Sequence, residues 1–123
     1  MLIKKIKTTN MELTDAISAY VHKKVDALYK FVAPDEEALA EIEIGRTTNH
    51  HHKGEVYKAE INLIYGKDNF RTVIINDDLY AAIDKMKEGI LNEVRRSKRK
   101  RFHLFKKGHQ RIKDILRGWR RSK

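Results

Sequence analysis

The last twenty-nine residues, 95–123, carry fourteen Lys and Arg against one acid, Asp114. A stretch with that density of like charge repels itself and cannot supply a hydrophobic core. The 123-residue chain has a net charge of +10, so residues 1–94 hold 13 basic and 16 acidic side chains and are slightly acidic. The fold must therefore be assembled from that first part, with 41 % hydrophobic residues in the whole chain to draw on. This length predicts one domain with a basic extension. A charge separated in this way concentrates a polyanion at one end and displaces its counterions on contact, which makes a nucleic acid the leading partner.

Several classes fall away on composition. Cysteine is absent, so neither a disulfide nor a thiolate nucleophile or ligand is available. No apolar run approaches the roughly twenty residues that span a bilayer, and Met1 to Asn10 lacks the apolar centre of a secretory signal. The expectation is a cytoplasmic protein with no membrane partner.

Leu2 to Thr8 alternates irregularly between apolar and basic side chains and reads as a strand. Thr14 is a good N-cap, and Ile17, Val21, Val25, Leu28 and Val32 follow it at helical spacing up to Pro34, where a helix must stop. Ala40, Ile42 and Ile44 alternate with Glu41 and Glu43, and Tyr57, Ala59, Ile61 and Leu63 with Lys58, Glu60 and Asn62. Both are strands with one wet face. Gly66 to Asn69 carries turn chemistry and predicts a hairpin to a strand from Phe70 to Asn76. Asp77 or Asp78 then caps a second helix with the stripe Leu79, Ile83, Met86, Ile90 and Val94.

The predicted fold class is α+β. Its β-α-β-β-β-α order makes a two-layer sandwich, a four-stranded sheet with two helices on one face, and a basic C-terminal extension follows. The predicted organisation is a domain over residues 1–101 and a tail over 102–123. At 1.5 Å per residue, the seven residues from Arg95 to Arg101 would extend the second helix by roughly 10 Å, enough to lie along a phosphate backbone.

Three separated segments carry a resemblance. Asp78-Leu79-Tyr80-Ala81-Ala82-Ile83-Asp84, leading into a helix that turns basic, resembles the signature of the ribosome hibernation promoting factors and ribosome-associated inhibitor proteins. Asn10-Met11-Glu12-Leu13-Thr14-Asp15-Ala16-Ile17, with Tyr20, Val21 and Lys24 beyond, is similar to the start of that family's first helix. His51-His52-Lys53-Gly54-Glu55-Val56-Tyr57-Lys58-Ala59-Glu60 is similar to the approach to its third strand.

The resemblance spans Met1 to Arg101. It implies a double-stranded-RNA-binding-domain-like fold and a non-enzymatic factor that occupies the decoding region of the small ribosomal subunit, blocking mRNA and tRNA under stress or dormancy. The implied partners are rRNA and ribosomal proteins of the small subunit within the intact ribosome, with no small-molecule substrate and no cofactor. Carried over by position, the implied rRNA contacts are Lys24, Arg96, Lys98 and Lys100, with Lys23, Arg95, Arg99 and Arg101 added as neighbouring cations. Ser18, Ala27, Gly89, Asn92 and Glu93 stand where the family often carries basic or polar contacts. The dimerisation domain of the long members has no counterpart after Arg101, so a monomer is expected.

Charges at a helix end also complement its macrodipole, but two or three suffice, and six in seven residues point to an anionic partner. The histidines at 50–52 are read as a polar loop tip, with His51, His52 and Lys53 a candidate rRNA-touching loop, because neighbours in extended chain point in alternating directions and no metal site closes around them. The acids Glu41, Glu43, Glu55, Glu60, Asp77, Asp78, Asp84 and Glu88 accompany no nucleophile and no phosphate loop, and those on strands are expected to be solvated. Tyr80 is expected to pack at the sheet edge.

In the tail, Ile112, Ile115, Leu116 and Trp119 fall at helical spacing with Arg111 and other bases around them, an amphipathic pattern suited to anchoring on the ribosome. Two other functions stay open at this stage, a general structured-RNA-binding module or ribosome assembly factor, and attachment to an acidic membrane surface through the same stripe.

Overall fold

The computed structural model describes residues 1–32, 36–47 and 56–98. Two units divide the chain, Met1–Glu93 and Val94–Lys123. The elements in order are β1 (Leu2–Thr9), α1 (Asp15–Val32), β2 (Ala38–Arg46), β3 (Tyr57–Tyr65) and β4 (Asp68–Asn76), followed by α2, helical over residues 79–98. This is the β-α-β-β-β-α order expected from the pattern.

The sheet runs β1-β2-β3-β4, with β1 parallel to β2 and the other pairs antiparallel. A parallel pair needs a crossover, and α1 supplies it. Register puts Ile6, Ile42, Ile61 and Thr72 side by side on one face and Lys7, Glu43, Glu60 and Val73 on the other. Two contacts assign both helices to the first face. Lys4, which pairs with Ala40, reaches Asp26 of α1 at 2.7 Å, and Gly89 of α2 lies against Thr72.

Between the layers Val21, Val25 and Leu28 of α1 and Ala82, Ile83, Met86 and Ile90 of α2 are buried, as are Ala40, Ile42, Ile44, Ala59, Ile61 and Leu63 of the sheet. Burying one large side chain of this kind is worth about 1.5–3 kcal/mol relative to leaving it exposed. The small Ala40, Ala59 and Ala82 let the backbones of the two layers approach.

Local chemistry fixes the ends. Thr14 Oγ1 accepts the Ile17 amide at 3.2 Å, as an N-cap does. Asp78 Oδ1 accepts the amides of Tyr80 at 3.0 Å and Ala81 at 3.4 Å, so of the two candidate aspartates Asp78 is the cap. Helix α1 ends at Val32, while Ala33, Pro34 and Asp35 lie outside the described residues.

Two expectations are revised. The hairpin is tighter than predicted, because Tyr65 pairs directly with Asp68 and only Gly66 and Lys67 turn the chain. Gly66 has φ 59°, the left-handed conformation that a two-residue hairpin assigns to glycine at its first central position. Glu60, expected to be solvated, is only 7 % exposed. Its carboxylate is enclosed by Lys58 at 3.3 Å and by Arg71, which compensate the loss of hydration.

Candidate nucleic-acid interface

In the first unit the described candidate residues lie on α1. Lys23 and Lys24 sit on consecutive positions of α1, with Lys23 exposed and making no ion pair among the described residues. Lys24 is held. Its Nζ lies 3.1 Å from Asp84 Oδ1 on α2 and 5.2 Å from the centroid of the Tyr20 ring.

Asp84 is the centre of this arrangement. The same Oδ1 accepts the Tyr20 hydroxyl at 2.5 Å, a charge-assisted bond that joins residues 64 positions apart. The Tyr20 and Tyr80 rings meet edge to face with centroids 4.9 Å apart. Tyr20 and Lys24 are four apart on α1, and Tyr80 and Asp84 four apart on α2, so each helix presents two side chains on one face and the pairs close across the seam. Tyr80 is 43 % exposed and packs on Tyr20.

The electrostatics follow the contacts. Donation from the Tyr20 hydroxyl, then from Lys24, holds the Asp84 carboxyl below its ordinary value, and the Lys87 charge acts in the same direction. The hydrogen bond to Asp84 raises Lys24 and also raises the Tyr20 hydroxyl, which is harder to ionise beside a carboxylate. The seam is thus a fixed ion pair with a neutral phenol, and Lys24 remains an ammonium.

Other cations of the first unit are also engaged. Lys4 is paired with Asp26, and Lys58 and Arg71 with Glu60. In the second unit Arg95, Arg96 and Lys98 are helical and exposed. Arg99, Lys100 and Arg101, the loop residues His51, His52 and Lys53, and the tail residues Arg111, Ile112, Ile115, Leu116 and Trp119 lie outside the described residues. Among the described residues no three His, Asp or Glu side chains converge as a metal site would require, and no helix is long and apolar enough to cross a membrane.

Gly89, noted as a departure from the family's basic pattern, has a packing cause. A Cβ there would lie 2.7 Å from Thr72 Cγ2, so the position faces the sheet and leaves no space for a lysine stem. The partnership of Tyr20, Tyr80 and Asp84 escaped the sequence reading, although the two i, i+4 pairs were visible in it.

A mixed four-stranded sheet under two helices defines a small α+β domain, with Lys23 and Lys24 on α1. Residues 5–101 match the family described as sigma 54 modulation protein / S30EA ribosomal protein, and the chain belongs to that family. The resemblance read from the three sequence segments is thereby confirmed.

The chain is 28 % identical over 89 residues to the ribosome hibernation promotion factor of Staphylococcus aureus, covering 72 % of this chain and 44 % of that protein. With the factor of the same name from Lactococcus lactis it shares 30 % identity over 93 residues, 76 % of this chain and 48 % of the relative. It therefore spans less than half the length of these two curated relatives. The crystal structure of the Thermus thermophilus Protein Y N-terminal domain superposes with a TM-score of 0.65 at 31 % identity, covering 78 % of this chain and 98 % of that one. A ribosomal subunit interface protein from Coxiella burnetii, at a TM-score of 0.58 and 12 % identity, covers 80 % of this chain and 98 % of its own and shares the fold.

Proposed function

We propose that this protein is a cytoplasmic ribosome hibernation factor that binds the decoding region of the small subunit and excludes mRNA and tRNA by occupancy. The observation that carries the reading is the family match over residues 5–101, an interval that holds both basic helix segments. The names of the Staphylococcus and Lactococcus relatives support it. On this reading residues 1–101 form the ribosome-binding domain. Lys23, Lys24, Arg95, Arg96, Lys98, Arg99, Lys100 and Arg101 contact rRNA, chiefly its phosphates and 2′-hydroxyls, and His51, His52 and Lys53 approach it from the loop.

The mechanism has no catalytic step and no cofactor. Phosphate contacts from several cations each displace counterions, so binding weakens with salt, while the shape of the rRNA groove supplies selectivity that charge alone does not. Residues 102–123 add affinity through Arg111 and the stripe Ile112, Ile115, Leu116 and Trp119.

The test is competition. Purified small subunits loaded with the protein should fail to retain mRNA and tRNA on filters, and prior loading with mRNA and tRNA should reduce uptake of the protein. Simultaneous binding of all three would reject occupancy of the decoding region. Equal affinity for plain duplex RNA and for small subunits would favour a general RNA-binding module.

A further inference from the structure

The carboxylate of Asp84 sits on a surface expected to meet a polyanion, where a negative charge is a liability. Lys24 is anchored to that carboxylate at 3.1 Å, and its side chain is 27 % exposed while that of Asp84 is 44 % exposed. One ammonium proton is directed at Asp84, and an ammonium has three to give. A second hydrogen bond runs to the Tyr20 hydroxyl, and the third donor is left for a phosphate.

We infer that Asp84 is a positioning residue for nucleic-acid binding, holding Lys24 in its binding conformation through a seam with Tyr20. The inference rests on the ribosome-binding reading of the helix surface. Lysine has four rotatable bonds, and ordering it on binding normally costs affinity. Here the order exists beforehand. Tyr20 holds the same carboxylate oxygen at 2.5 Å, and its ring is held edge to face by Tyr80, so the anchor itself is fixed from both helices. The charge of Lys87, three positions further along α2, also favours the ionised Asp84.

The sign of the effect separates this from simple electrostatics. Removing an acid from an RNA-binding surface should strengthen binding to every RNA. Loss of a positioning residue weakens binding only where Lys24 must meet a phosphate at a defined place.

The experiment measures equilibrium binding of the full chain and of Asp84→Asn to small ribosomal subunits and to a plain RNA duplex, each also in a Lys24→Met background. We expect Asp84→Asn to weaken subunit binding by roughly three- to tenfold, the scale of ordering one long side chain, with duplex binding unchanged or slightly tighter. In the Lys24→Met background Asp84→Asn should cause no further loss of subunit binding, leaving it unchanged or slightly tighter. Tyr20→Phe, which keeps the ring and removes the hydroxyl, should produce a smaller loss of the same kind. Subunit binding by Asp84→Asn as tight as the parent's, or an undiminished loss without Lys24, would overturn the inference and leave the ribosome reading standing. Failure of the parent protein to bind small subunits would remove both.

Discussion

Gly89 on α2 lies so close to β4 that a Cβ at this position would sit 2.7 Å from Thr72 Cγ2. Alanine should gain about 0.8–1 kcal/mol in helix propensity at an interior helical site. Overpacking of about 1–3 kcal/mol opposes it, because the methyl of a β-branched strand residue has little freedom to move aside. Gly89→Ala is therefore expected to be neutral to destabilising, by up to about 2 kcal/mol. In a Thr72→Ser background, which deletes the opposing methyl, the same change should become stabilising. Urea denaturation of the four proteins in the cycle reads the coupling.

Asp78 satisfies two amides at the start of α2 and has no replacement nearby, since Asp77 is the residue before the cap. Asp78→Ala should cost about 1 kcal/mol, within the usual range for a lost N-cap, and Asp78→Ser should recover most of it. Thermal denaturation would register the first as a fall of about 4–8 °C for a unit of this size.

Ile83 and Met86 are fully buried where α2 meets the sheet. Ile83→Ala should destabilise by about 2–5 kcal/mol and Met86→Leu by less than about 1.5 kcal/mol, because the second conserves volume. Chemical denaturation of both variants distinguishes a packed core from a loosely filled one, in which the two costs would converge.

The Asp84 seam carries a pH dependence whose sign is fixed. A carboxyl lowered by folding stabilises the fold above its unfolded value, ordinarily 3.8, and that contribution is lost as pH falls through the folded value below it. Lys24, raised by folding, contributes below its ordinary 10.5 and loses that contribution only as pH rises beyond it. Denaturation from pH 7 downward should therefore show a shallower acid limb for Asp84→Asn than for the parent, with the difference concentrated below 3.8.

Alternation from Ala40 to Ile44 and from Tyr57 to Leu63, and the helical stripes beginning at Ile17 and Leu79, made the layers legible because each side chain's face depends only on local period. The Thr14 cap was legible for the same reason. The partners of Asp84 and Glu60 were not. Tyr20 meets Asp84 across 64 positions, and Arg71 reaches Glu60 only because the β3–β4 register brings their strands together. The inward direction of Gly89 was missed because it depends on how α2 is rotated against Thr72. In the site, cations such as Lys24 and Lys98 were evident as residue types, while the fact that Lys24 is anchored and Lys23 is not depended on the packing of α2 beside α1.

The central claim is that the basic run beginning on α2 docks the protein on the small subunit. Its most direct test is sucrose-gradient co-sedimentation of the full chain and of the triple variant Arg96→Glu, Lys98→Glu, Lys100→Glu with separated ribosomal subunits at two salt concentrations. The account predicts that the parent travels with the small subunit at moderate salt, and that the variant, folded by circular dichroism, stays at the top of the gradient. Undiminished co-sedimentation of the variant, or equal uptake of the parent by both subunits that vanishes steeply with salt, would contradict it.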